Sequence, residues 1–174
     1  MIFRYKEWKQ LFLLCLGLFA GTAFCMKWME EDFIYNGSTF TIIGLEISYP
    51  KVKVQEILSG LDYRVRTILS YHLYFDFAFM AGVYPGIAAL CMMARDKVNN
   101  MGVGKLLLVL ACLQVVALGC DIAENSYLLT WLNKPVNGNE FQFYHIIVFI
   151  KWAIALAGAL FAIPLAIRRR KIIV

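Results

Sequence analysis

Four stretches of this chain are too apolar and too long to be the interior of a small soluble domain. They fall at about residues 10–29, 70–93, 105–131 and 143–167, each near or above the roughly 20 residues that span a hydrocarbon core as a helix. Lipid offers no partner to a backbone N–H or C=O, so such stretches must satisfy their own hydrogen bonds, and α-helices do so within one segment. The pattern predicts an all-α fold, an integral membrane four-helix bundle forming one domain over residues 1–174, with a single sizeable outer loop at 30–69. Composition agrees: the chain is 61% hydrophobic and 17% charged, against roughly 25% charged in soluble domains.

The formal charge of +5 does not point to nucleic acid, because the basic residues sit at the ends of the apolar stretches and no nucleic-acid-binding signature accompanies them. Their distribution sets orientation instead. One side collects Arg4, Lys6, Lys9, Arg95, Lys97, Lys105 and Arg168 to Lys171, ten in short segments; the other has Lys27, Lys51, Lys53, Arg64, Arg66 and Lys134, six spread mostly over the long loop. Both termini are therefore expected on the cytoplasmic side, in a bacterial inner membrane. Arg4, Lys6 and Lys9 before the apolar run Leu11 to Cys25 also have the layout of a signal peptide. Phe24 occupies the position where lipoprotein cleavage needs a small residue, so this stretch is expected to stay as the first span. The five cysteines form no C-x-x-C pair and lie in or beside apolar segments, which fits small core residues better than a thiol oxidoreductase or a structural zinc site.

The outer loop has local order of its own. Phe33-Ile34-Tyr35, Asn36-Gly37 and the run Ser38 to Ile43 read as a short β-hairpin, since Asn-Gly supplies the positive φ angles of a type I′ turn. After Pro50, Val54, Ile57, Leu58, Leu61, Val65 and Ile68 recur at three- and four-residue steps opposite Lys53, Gln55, Glu56, Asp62 and Arg64. That is an amphipathic helix at the outer interface, with a break expected near Gly60. Tyr71, Tyr74, Tyr127, Trp131 and Tyr144 read as an interfacial aromatic belt. Pro85 should kink the second span. Gln114 suits a helix–helix hydrogen bond, and the alanines and Gly158 of the fourth span suit close helix approach.

Charge inside the apolar stretches is the main functional signal. Asp121, Glu124 and Asn125 lie within the third span at i, i+3 and i, i+4, so they share one helix face. A charged side chain at mid-membrane costs about 2.5–3.5 kcal/mol on insertion scales, so it is usually paired, functional or both. Counting helical rise places Asp76 near the second turn of span two, the Asp121 group in the outer third of span three, and Lys151 near the third turn of span four. All five residues are expected in one layer in the outer half of the membrane. Lys151 is the natural partner of the acids, whose remaining charge requires a cation, a cationic head group, a metal or protons. His72, Glu46 and His145 are candidate additions. The oxygen-rich set with one imidazole would suit magnesium, manganese or iron better than zinc. No E-x-x-H pair, H-E-x-x-H, G-x-S-x-G or phosphate loop is present, and the sequence specifies no cofactor.

Phe75-Asp76-Phe77, Asp121-Ile122-Ala123-Glu124-Asn125 and Lys151-Trp152 resemble a group of small, largely uncharacterised four-span bacterial membrane proteins with D-F, D-x-x-E-N and Lys-aromatic motifs in that order. Gly44-Leu45-Glu46 and Gln55-Glu56-Ile57-Leu58 are similar to their outer loop, so the resemblance runs from about residue 40 to 165. It implies the four-span layout and brings no activity. A looser similarity is to the sterol isomerase and sigma-2 receptor superfamily, whose spacing differs and which lacks the equivalent of Lys151. Three readings remain open: binding of a cation, lipid head group or small amphiphile; a membrane enzyme using Asp121 or Glu124 as acid/base on a lipid-like substrate; and an accessory subunit of a larger membrane assembly, with the charged layer as glue.

Overall fold

The computed structural model describes residues 5–168; Arg4 and the basic residues 169–171 used in the orientation count lie outside them. The elements in order are α1 (Tyr5–Met29), a 3-10 turn (Glu30–Asp32), strands β1 (Ile34–Tyr35) and β2 (Ser38–Thr39), a π-helical turn (Gly44–Ser48), and the helices α2 (Lys51–Gly60), α3 (Tyr63–Arg95), α4 (Met101–Trp131) and α5 (Gly138–Ile167). Helices α1, α3, α4 and α5 are long and apolar enough to cross a membrane.

Each long helix begins four to seven residues before its apolar stretch. Capping accounts for the difference on three of them. Asp62 accepts from Val65 N at 2.8 Å, Asn100 from Val103 N at 3.1 Å, and Asn137 from Asn139 N at 3.2 Å, satisfying N–H groups that a helix start leaves without partners. The amphipathic stretch divides where expected: α2 ends at Gly60, and Asp62 starts α3. Val65 and Ile68, expected on the interfacial helix, therefore belong to the first turns of α3. That helix runs on through Pro85 to Arg95.

The hairpin forms as two short antiparallel strands pairing Ile34 with Thr39 and Tyr35 with Ser38. Asn36 (φ 49°) and Gly37 (φ 73°) turn it. The extended run does not reach Ile43. Thr41 Oγ1 accepts from Gly44 N at 3.0 Å and Thr41 O from Leu45 N at 3.1 Å, so a helical turn starts there. Behind it, Phe33, Phe40, Leu45, Ile57 and Leu58 pack onto Leu69, Leu73, Leu128 and Tyr144, which makes the loop a cap on the outer end of the helices. Trp131 (2% exposed) and Tyr144 (0%) belong to this core. They are not belt residues, because the loop covers them, whereas Tyr71 and Tyr74 remain exposed.

Helices α3, α4 and α5 pack against one another, and α1 lies chiefly on α3. Two seams of small residues bring backbones together. A Cβ built on Gly82 would lie 2.7 Å from Phe19 N and 3.0 Å from Cys15 O, and one on Gly86 would lie 3.2 Å from Cys15 Cβ. On α5, Gly158, Ala162 and Ala166 are buried at four-residue steps. The Gly158 position is filled by Gln114 and Ile87.

Candidate functional site

The inward face of α4 reads Leu107, Leu110, Gln114, Ala117, Asp121, then Glu124 and Asn125 at i+3 and i+4 from it, then Leu128 and Trp131, a spacing that keeps every member on one side of the helix. Its polar centre meets α5 at Lys151. Lys151 Nζ lies 2.5 Å from Glu124 Oε2, 2.9 Å from Asp121 Oδ1 and 3.5 Å from Glu46 Oε2. Asp121 uses its second oxygen, Oδ2, to accept from Tyr84 OH at 2.7 Å. Asn125 Nδ2 donates to Asp76 Oδ2 at 2.7 Å and to the Leu73 carbonyl at 3.3 Å, tying α4 to α3. The Lys151 ammonium also stands 5.5 Å from the ring centre of Trp152. Asp121, Glu124 and the loop residue Glu46 thus surround Lys151, and Asp76 with Asn125 forms a second bonded pair on the same face of α4.

The cap begins α3 and α5 early, so Asp76 and Lys151 each sit 13 residues in, in the fourth turn, about 20 Å from the helix start. The layer is nearer mid-helix than the apolar stretches suggested.

Every member of the group is 8% exposed or less, and Glu124 is fully buried. Four carboxyls against one ammonium leave a charge of −3 if every acid ionises. Glu124 Oε1 has no hydrogen-bond partner, and Oε2 meets Lys151 as a close ion pair outside hydrogen-bond geometry. An orphaned carboxylate oxygen in a dry site is costly unless a proton or another positive charge meets it.

Glu46 differs from the rest, since the outer loop delivers it. The π-helical turn from Gly44 closes with Tyr49 N donating to Gly44 O at 2.8 Å. Gly44 leaves room for the Tyr49 ring, 2.5 Å from where its Cβ would be. Burial pushes the Glu46 carboxyl above its ordinary value of 4.5, Lys151 opposes that, and Asp121 adds to it. A raised acid binds more protons folded than unfolded, so its share of stability is complete at low pH and is lost as pH rises through its folded value. The thermal midpoint should therefore fall as pH is raised from about 4.5, and Glu46→Gln should flatten that slope; equal slopes in the two proteins would refute this role for Glu46.

His72 and His145 do not join the group. His72 is buried beside Phe33, ring centres 5.3 Å apart, with Nδ1 unpartnered. His145 stands edge-on to Phe141 at 4.5 Å. No three His, Cys, Asp or Glu side chains among the described residues converge as a metal site. Gln114 makes the interhelix bond expected of it, to Ile154 O at 3.4 Å. Tyr84 is the participant that spacing could have revealed and motif reading missed. Asp76, Met80 and Tyr84 follow one another at four-residue steps and are all buried on one face of α3.

Fold and site together define a class: a small protein of four long helices, apolar on their outer faces, with an acidic group around one lysine enclosed between three of them and a loop cap. Comparison of the chain with protein-family models, with curated proteins and with solved structures finds no match.

Proposed function

We propose that this is a multi-pass protein of a bacterial cytoplasmic membrane, both termini inside, whose buried acidic group takes up and releases a small cation, proton included. The four apolar helices, the Lys/Arg asymmetry and the motif resemblance support the setting. The observation that carries the function is the excess of acid over base around Lys151, together with the orphaned Glu124 Oε1. Electroneutrality in a dry site requires either protons on the carboxyls or a bound cation. Enclosure favours a small occupant: Glu46, Asp121, Glu124 and Lys151 are each under a tenth exposed. An open cleft of about 290 Å³ lies elsewhere, at the loop-side end.

Glu124 is the central residue, because it is the most buried acid and has a fully buried oxygen without a hydrogen-bond partner. Infrared spectra of the purified full-length protein at neutral pH should contain a protonated-carboxyl band that Glu124→Gln diminishes. Replacing sodium with a bulky organic cation should change that band if a metal cation competes with the proton. A spectrum without any protonated carboxyl and indifferent to the cation would refute the reading.

A further inference from the structure

A second site lies outside the acidic group. The end of α2, the first turn of α3 and the α4–α5 link line an open cleft of about 290 Å³. Arg66 and Lys134 line it, and no Asp or Glu does. Glu140 accepts from the Trp131 indole at 3.3 Å but is not part of the wall. Among the described residues neither Arg66 nor Lys134 forms an ion pair.

Arg66 is held in place without being neutralised. Its Nη1 donates to the Leu132 carbonyl at 2.9 Å and its Nη2 to the Leu58 carbonyl at 3.5 Å. These occupy two of the five N–H donors of a guanidinium. The planar fork is therefore fixed by α2 and the α4–α5 link, with charge and donors to spare. A pre-set guanidinium matches the paired oxygens of a phosphate, and a nearby lysine adds a point charge. Asn133 contributes a neutral polar side chain to the rim, and Leu58, Trp131 and Pro135 give the cleft an apolar wall.

We propose that this cleft binds a phosphate ester, its oxygens held by Arg66 and Lys134 and its apolar remainder set against Leu58, Trp131 and Pro135. The position suits an anionic lipid head group of the outer leaflet if the helices cross the membrane as proposed. A free phosphate offers the same chemistry. The site shares no residue with the acidic group around Lys151, so either can fail without the other.

The test uses the purified full-length protein in an uncharged detergent, with binding read by native mass spectrometry. The probes are short-chain phosphatidylglycerol, the matching diacylglycerol without phosphate, and inorganic phosphate. Phosphatidylglycerol should bind and diacylglycerol should not, and Arg66→Gln and Lys134→Gln should each weaken binding about tenfold. Displacement by inorganic phosphate at comparable concentration assigns the site to free phosphate; its failure to compete assigns it to the lipid. Diacylglycerol binding as well as phosphatidylglycerol, or no phosphate-bearing probe binding, would overturn the proposal. So would a Lys134→Gln protein that binds like wild type. Lys134 is exposed and makes no bond to another element, so that variant decides the matter even if Arg66→Gln does not fold.

Discussion

Lys151→Met is expected to destabilise the fold by about 3–5 kcal/mol, the usual cost of removing one partner from a buried ion pair. Methionine fills nearly the same volume, so packing is not the cause. The loss comes from Asp121, Glu124 and Glu46, which now meet Lys151 at 2.5–3.5 Å and would face one another without a cation. A domain of this kind has about 5–15 kcal/mol in total, so the variant should accumulate poorly in membranes and unfold at markedly lower temperature. Adding Asp121→Asn and Glu124→Gln to Lys151→Met should restore much of the loss, since neutral amides need no counter-ion. The pair of measurements separates two states of the wild-type protein. Recovery in the triple variant means that the ammonium balances one carboxylate of the group, while protons or a cation balance the others. A Lys151→Met protein as stable as wild type would mean that protons or another cation already neutralise them, and the ammonium would then have no role as their counter-ion.

How much of this was legible beforehand depended on whether a feature was set by periodicity or by tertiary contact. The inward face of α4 was legible because Asp121, Glu124 and Asn125 interrupt an apolar run at helical spacing, and lipid makes polar interruptions expensive. Lys151 followed as the cation set deep inside an apolar stretch, and its ion pairs to Asp121 and Glu124 join α4 to α5. Asp76 meets Asn125, not the lysine, a choice between partners that spacing cannot make. The Asn36-Gly37 turn was legible from its own dihedral demands. The helix starts were not, because Asp62, Asn100 and Asn137 are polar and apolarity marks only the part of a helix that meets lipid. Trp131 and Tyr144 were misplaced for a related reason. An aromatic near a helix end suits the interface until a loop folds over it, and the packing of Phe33, Phe40 and Leu45 is a contact across distant sequence. Tyr84 completes the bonding of Asp121 through a contact between two helices, and a tyrosine inside an apolar stretch does not by itself specify its hydroxyl's partner.

Gly82→Leu is expected to detach α1 from the rest of the molecule. The atoms that a Cβ at Gly82 would strike, Phe19 N and Cys15 O, are backbone, so no change of rotamer can relieve the clash. Overpacking of this kind costs about 1–3 kcal/mol when a core can adjust. Here adjustment means moving a whole helix. α1 has little else to hold it: its buried residues are Cys15 and Thr22 alone, and it packs mainly on α3. In lipid no hydrophobic force favours its return, since acyl chains are as apolar as leucine and close backbone packing does the work. The prediction carries its own control on the same helix. Gly17 and Gly21 repeat the four-residue spacing, but nothing lies within 4 Å of a Cβ at either, so Gly17→Leu and Gly21→Leu should leave the thermal midpoint unchanged. Protease accessibility of the α1 to α3 loop and the midpoint of the purified protein distinguish the variants. Equal damage from Gly17→Leu and Gly82→Leu would mean that α1 presents its other face to the protein, and the seam through Cys15 and Phe19 would then be wrong.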